Sequence, residues 1–67
     1  MSIAYLRNRA RELRHTHSEA EYEELLEKLA RYLNIIQDGE RFTINHKQKV
    51  LNTLRQLGIK THRITQQ

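Results

Sequence analysis

No cysteine, proline or tryptophan occurs among the 67 residues, and phenylalanine occurs once. Without cysteine there is neither a disulfide framework nor a thiolate metal site. The same absence fits a reducing compartment, so a cytoplasmic protein is expected. The core has to be built from Leu, Ile, Val, Ala and the rings of three tyrosines. Apolar runs are short, and none approaches the roughly 20 residues of a membrane span. The N-terminus lacks the apolar stretch of a secretory signal. Gly39 and Gly58, the two glycines, form no glycine-rich phosphate loop. A chain this short makes one domain at most, 1–67. It hides only about 60% of the surface its unfolded form exposes. Unstapled scaffolds of this size gain burial by associating, so a homodimer is expected.

Acid is missing too, but locally. Residues 41–67 carry Arg41, Lys47, Lys49, Arg55, Lys60 and Arg63 and no carboxylate, a net of +6. Residues 18–40 carry Lys28 and Arg31 against Glu19, Glu21, Glu23, Glu24, Glu27, Asp38 and Glu40, a net of −5. Residues 1–17 carry Arg7, Arg9, Arg11 and Arg14 against Glu12, a net of +3. Block patterning of this kind speaks of partners, inside the molecule or outside it.

What is present in quantity is helical periodicity. Tyr22, Leu26, Leu29, Leu33 and Ile36 recur at four, three, four and three, with Leu25 and Ala30 widening the stripe. That predicts a helix over 18–37 with one buried face. Ser18 and Glu21 read as a capping box at its start, and Asp38-Gly39 as its stop. Ile3, Leu6, Ala10 and Leu13 predict an earlier helix over 3–14, capped by Ser2. The short link His15-Thr16-His17 makes the two an antiparallel hairpin. Asn45 and Gln48 suggest a second capping box, opening a helix over 46–57 that buries Val50, Leu51, Leu54 and Leu57. Gly58 would end it, with Ile59 touching Leu54 as in a Schellman turn. Residues 41–44 and 59–64 have the β-branched character of a small two-stranded element, and 59–67 reads as a basic tail. The expected fold class is mainly α: an antiparallel helical hairpin plus a third helix, with that small β element as an addition. Leu6, Leu26, Leu29, Leu33 and Leu54 are the expected core.

In an antiparallel hairpin the end of the first helix lies beside the start of the second. Arg11 and Arg14 are therefore expected to pair with Glu19, Glu21, Glu23 and Glu24, rather than to form an external arginine face. Glu24–Lys28 and Glu27–Arg31 are further i,i+4 pairs. Tyr5 and Tyr32 lie off the main stripe and can meet at the open end of the hairpin.

The third helix carries the functional signal. Away from its apolar stripe it presents His46, Lys47, Gln48, Lys49, Asn52, Thr53, Arg55 and Gln56. Lysine and arginine neutralise phosphate, and Asn, Gln and Arg form paired hydrogen bonds with base edges. No carboxylate is present to repel phosphate. The bland alternative is a solvated or protein-binding face, because this pattern has no motif-level specificity. A standard helix-turn-helix does not fit, since the eight residues Asp38 to Asn45 exceed its turn of roughly 3–4. His15-x-His17 lacks the further ligands of a zinc site, so neither a metal nor another cofactor is expected. The glutamates lie at a helix start and on its surface, where no cleft tunes them for acid–base work, so no enzyme is expected. The expected function is non-enzymatic regulation through binding of DNA or RNA by Arg41, Lys47, Lys49, Asn52, Arg55, Lys60 and Arg63. The competing expectation is a protein-binding adaptor or inhibitor that uses the acidic and apolar faces of the hairpin.

Overall fold

A computed structural model describes residues 2–64. The chain is mainly helical: α1 (Ile3–His15), α2 (Glu19–Tyr32) and α3 (Ile44–Gln56). Helices α1 and α3 each pack on α2, which is therefore the central element. No strand occurs among the described residues, so the expected two-stranded element at 41–44 and 59–64 is not formed. Of the basic tail expected over 59–67, residues 65–67 lie outside the described residues.

Helix α1 starts where Ser2 accepts a hydrogen bond from the Tyr5 N–H at 3.2 Å, which satisfies one of the helix's orphan donors. Its stripe of Leu6, Ala10 and Leu13 is fully buried. The hairpin is antiparallel. At its open end the Ser2 N–H donates to the Tyr32 hydroxyl at 2.7 Å, and the Tyr5 and Tyr32 rings lie 4.4 Å apart. At the closed end Ser18 accepts from the Glu21 N–H at 3.3 Å. The Glu21 carboxylate does not close the box. It accepts instead from the Thr16 hydroxyl at 3.1 Å, which ties the link to α2.

Helix α2 ends five residues short of the expected Gln37. Asn34 takes a φ of 60°, a left-handed conformation that asparagine tolerates at a helix end. Its N–H donates to the Arg31 carbonyl at 3.2 Å, and the next N–H, of Ile35, donates to Ala30 at 2.8 Å. That pair of bonds is a Schellman motif. Ile36 is still buried, but it reaches the core because the chain turns back. Leu33, expected in the core, sits at the cap and is half-buried. A second turn follows, in which the Glu40 N–H donates to the Gln37 carbonyl at 3.0 Å and Gly39 supplies a φ of 85°.

Helix α3 begins two residues earlier than expected, and Thr43 caps it rather than Asn45. The His46 N–H reaches the Thr43 hydroxyl at 3.5 Å, and His46 Nδ1 accepts from the Thr43 N–H at 3.0 Å. An imidazole thus does the work that Glu or Gln does in the usual capping box. This corrects the reading of 41–44 as extended: Thr43 and Ile44 are β-branched but open a helix, and Phe42 packs half-buried against the core. Gly58, at φ 78°, ends α3. The Ile59 N–H donates to Leu54 at 2.9 Å, and Ile59 and Leu54 are both buried.

After Gly58 the chain runs without regular secondary structure past the C-terminal end of α1. Arg14 Nη1 donates to the Lys60 carbonyl at 3.3 Å. The Ile64 N–H donates to the Arg14 carbonyl at 2.8 Å, one of the acceptors that α1 leaves open at its end. Residues 59–64 are thus a strap fastened to α1, and they do not pair with 41–44.

Candidate nucleic-acid interface

Two acids of α2 take their partners from the C-terminal third of the chain. Glu23 pairs with Lys47 at 3.0 Å. Glu19 pairs with Arg63, whose guanidinium also donates to the Thr16 carbonyl at 3.2 Å and lies 4.7 Å from the centre of the Tyr22 ring. Arg31 is held by Glu27 at 2.8 Å and by Asp38 at 3.4 Å, and Arg9 by Glu12 at 2.7 Å. The expected Glu24–Lys28 pair is not among the ion pairs of the described residues.

The expected pairing of Arg11 and Arg14 with the start of α2 does not form among the described residues. The reason is rotational. Leu6, Ala10 and Leu13 turn toward α2, and Arg7, Arg11 and Arg14 each follow one of them in sequence, which puts the ridge about 100° further round. There it faces the strap, not the glutamates.

The seven expected contact residues therefore divide. Lys47 and Arg63 are bound to α2 by ion pairs. Arg41, Lys49, Asn52, Arg55 and Lys60 are exposed, and the four cations among them have no acidic partner within the described residues. On α3 the exposed side chains are Ile44, Asn45, Gln48, Lys49, Asn52, Arg55 and Gln56. At 3.6 residues per turn, the six polar ones fall within an arc of about 120° opposite Val50 and Leu54. None of these six side chains makes an ion pair or a side-chain hydrogen bond within the described residues. The face holds two cations and four carboxamides.

No protein-family model, curated protein or solved structure matches the chain. The site is therefore read from its chemistry alone.

Two grooves flank the strap. One, of about 420 Å³, lies between α2, α3 and the strap and is lined by Tyr22, Leu51, Arg55, Lys60, His62 and Arg63 among others. The other, of about 220 Å³, lies between the arginine ridge of α1 and Gly58–Lys60. Lys60 lines both. The α1 ridge carries no apolar stripe of its own, and residue type alone did not place it at the site. Its i, i+4, i+7 spacing beside a buried stripe was the available signal.

The histidines separate. His15 and His17 are exposed at the hairpin link, His46 caps α3, and His62 lines the larger groove. Among the described residues no three His, Cys, Asp or Glu side chains gather in a way that would hold a metal ion. Among the same residues no helix is long and apolar enough to cross a membrane.

Proposed function

We propose that the protein is a small non-enzymatic regulator that binds nucleic acid, DNA or RNA, with α3 as its contact helix. One observation carries the reading: the outward face of α3 offers Lys49 and Arg55 among Asn45, Gln48, Asn52 and Gln56, with no acid among these exposed residues and none of the six side chains in an ion pair or side-chain hydrogen bond among the described residues. Cations there meet phosphate, and the carboxamides meet base edges or sugar hydroxyls. Glu19 and Glu23 of α2 support the reading indirectly, because ion pairs direct them to Arg63 and Lys47 and away from this face. A cytoplasmic setting and a homodimer belong to the same reading. Ile44, at 70% exposure beside the contact face, is an apolar group that a second copy would cover.

Binding to a random-sequence duplex should weaken with salt, by about 0.9 in the log–log slope for each phosphate neutralised. Lys49→Gln with Arg55→Gln should flatten the slope by about 1.8 and leave helix content unchanged. No binding to DNA or RNA at low salt rejects the proposal. The adaptor reading would then take its place, favoured by a groove of about 210 Å³ in which Glu12, Glu21 and Glu24 surround Leu25 and Lys28. Such a surface suits a basic partner with an apolar anchor.

A further inference from the structure

Four cations line the groove between α1 and the strap: Arg7, Arg11, Arg14 and Lys60. Asn8 adds a carboxamide, and among the described residues no carboxylate lines it. The nearest acid in sequence, Glu12, is paired with Arg9 at 2.7 Å and lies in the acidic groove with Glu21 and Glu24. The chain thus gathers like charges around one concavity, while Glu12, Glu19, Glu23, Glu27 and Asp38 neutralise cations elsewhere. Such an arrangement is self-repelling unless an anion completes it.

We infer that this groove is a second nucleic-acid contact, a seat for the sugar–phosphate backbone of the same strand or duplex that α3 touches; the inference rests on the nucleic-acid reading of α3. Three geometric facts point to a backbone rather than to a single phosphate. First, Arg7, Arg11 and Arg14 form a row about 10 Å long at 1.5 Å per residue. Measured along a duplex axis, that length covers about three steps of 3.4 Å on one strand, so the row matches a short run of phosphates rather than one. Guanidinium forks suit phosphate oxygens better than a compact ammonium does. Second, Gly58 brings backbone without a side chain to the groove, and a Cβ built there would meet nothing within 4 Å, so this wall is open. Third, Lys60 lines this groove and the one that holds Arg55. A basic track therefore runs from Arg7 along α1, over the strap at Lys60, to the contact face of α3. Arg14 is a positioning residue in this scheme, since its guanidinium holds the Lys60 carbonyl at 3.3 Å. Arg7 and Arg11 are exposed, and among the described residues neither holds the strap by a side-chain hydrogen bond.

The test uses the full chain and a labelled random-sequence duplex, titrated by fluorescence anisotropy across a salt series. Arg7→Gln with Arg11→Gln should flatten the log–log slope by about 1.8, two phosphates' worth. Asn8→Lys, which adds a cation to the groove and removes nothing the fold uses, should steepen it by about 0.9. Arg7→Lys with Arg11→Lys should keep the wild-type slope. Circular dichroism should be the same for all. A wild-type slope in both the glutamine double variant and Asn8→Lys, while Lys49→Gln/Arg55→Gln still flattens it, overturns the groove and leaves the α3 reading standing. A flattened slope in the groove variant with an unchanged one in the α3 variant upholds the groove and removes α3. A wild-type chain that ignores duplex and single strand but binds vesicles containing phosphatidylserine overturns both.

Discussion

Lys47 and Lys49 lie two residues apart on one helix and are indistinguishable by composition, yet the structure gives them opposite roles. Lys47 reaches Glu23 at 3.0 Å, with 27% of its side chain exposed against 54% for the glutamate. Lys49 is exposed and has no acidic partner among the described residues. Replacing each by glutamine should therefore produce a double dissociation. Lys47→Gln removes a partly exposed ion pair worth about 0–1 kcal/mol. In a domain of this size that lowers Tm by at most about 4–8 °C. It should leave the salt slope of duplex binding where it was, because its charge is already neutralised. Lys49→Gln should leave Tm unchanged and flatten the slope by about 0.9. Glu23→Gln completes the set: it frees Lys47 and should steepen the slope by up to about 0.9. Thermal melts followed by circular dichroism give the first quantity, and anisotropy titrations in increasing salt give the second. Equal slope changes for the two lysine variants would refute the reasoning, since the Glu23 pair would then be doing nothing to withhold Lys47 from phosphate.

Two stability predictions follow from the packing and the caps. Leu29→Ala, at a site with no exposure, should cost about 2–5 kcal/mol and bring the chain close to unfolded at ambient temperature, which urea denaturation would read. Asn34→Ala tests the end of α2 by sign. Inside a helix, alanine would stabilise by about 0.5 kcal/mol over asparagine, whereas at a φ of 60° it should destabilise by about 1 kcal/mol. A lowered Tm is expected, and a raised one would restore the longer helix.

The parts of the fold that were legible in the sequence are those governed by neighbours within a turn or two. Ser2 as a cap, the Leu6–Ala10–Leu13 stripe, and the Gly58–Ile59 ending all depend on residues three to five apart, and each is where the pattern places it. Asn34 was not legible because the apolar spacing continues through it to Ile36, and a stripe does not say whether a residue reaches the core along a helix or around a turn. Thr43 and His46 were missed because histidine is a rare third partner in a capping box. Segments 41–44 and 59–64, expected to pair, were misjudged for a different reason: β-branched composition was real, but one segment was needed at a helix start and the other at the end of α1. At the candidate site, residue types were readable and partnerships were not. Whether Glu19 meets Arg14 or Arg63 depends on which way the arginine ridge of α1 faces, and that is settled only when the strap crosses it. Arg63 and Glu19 are 44 residues apart, beyond the reach of any local pattern.

The strap has a consequence for the order in which the molecule comes together. Packing of α1 on α2 and of α2 on α3 joins neighbours in sequence, so those contacts close short loops and are expected to form early. The bonds that fasten the strap span 46 and 47 residues, and their closure is the slowest to be repaid. The three helices are therefore expected to assemble first, with the α1 arginines on a surface that the strap does not yet wall. Only when residues 59–64 dock does that surface acquire its second wall. A chain still emerging from synthesis, or one clipped after Leu57, would carry the same arginines without the concavity, and would meet a polyanion as a charged rod rather than as a groove.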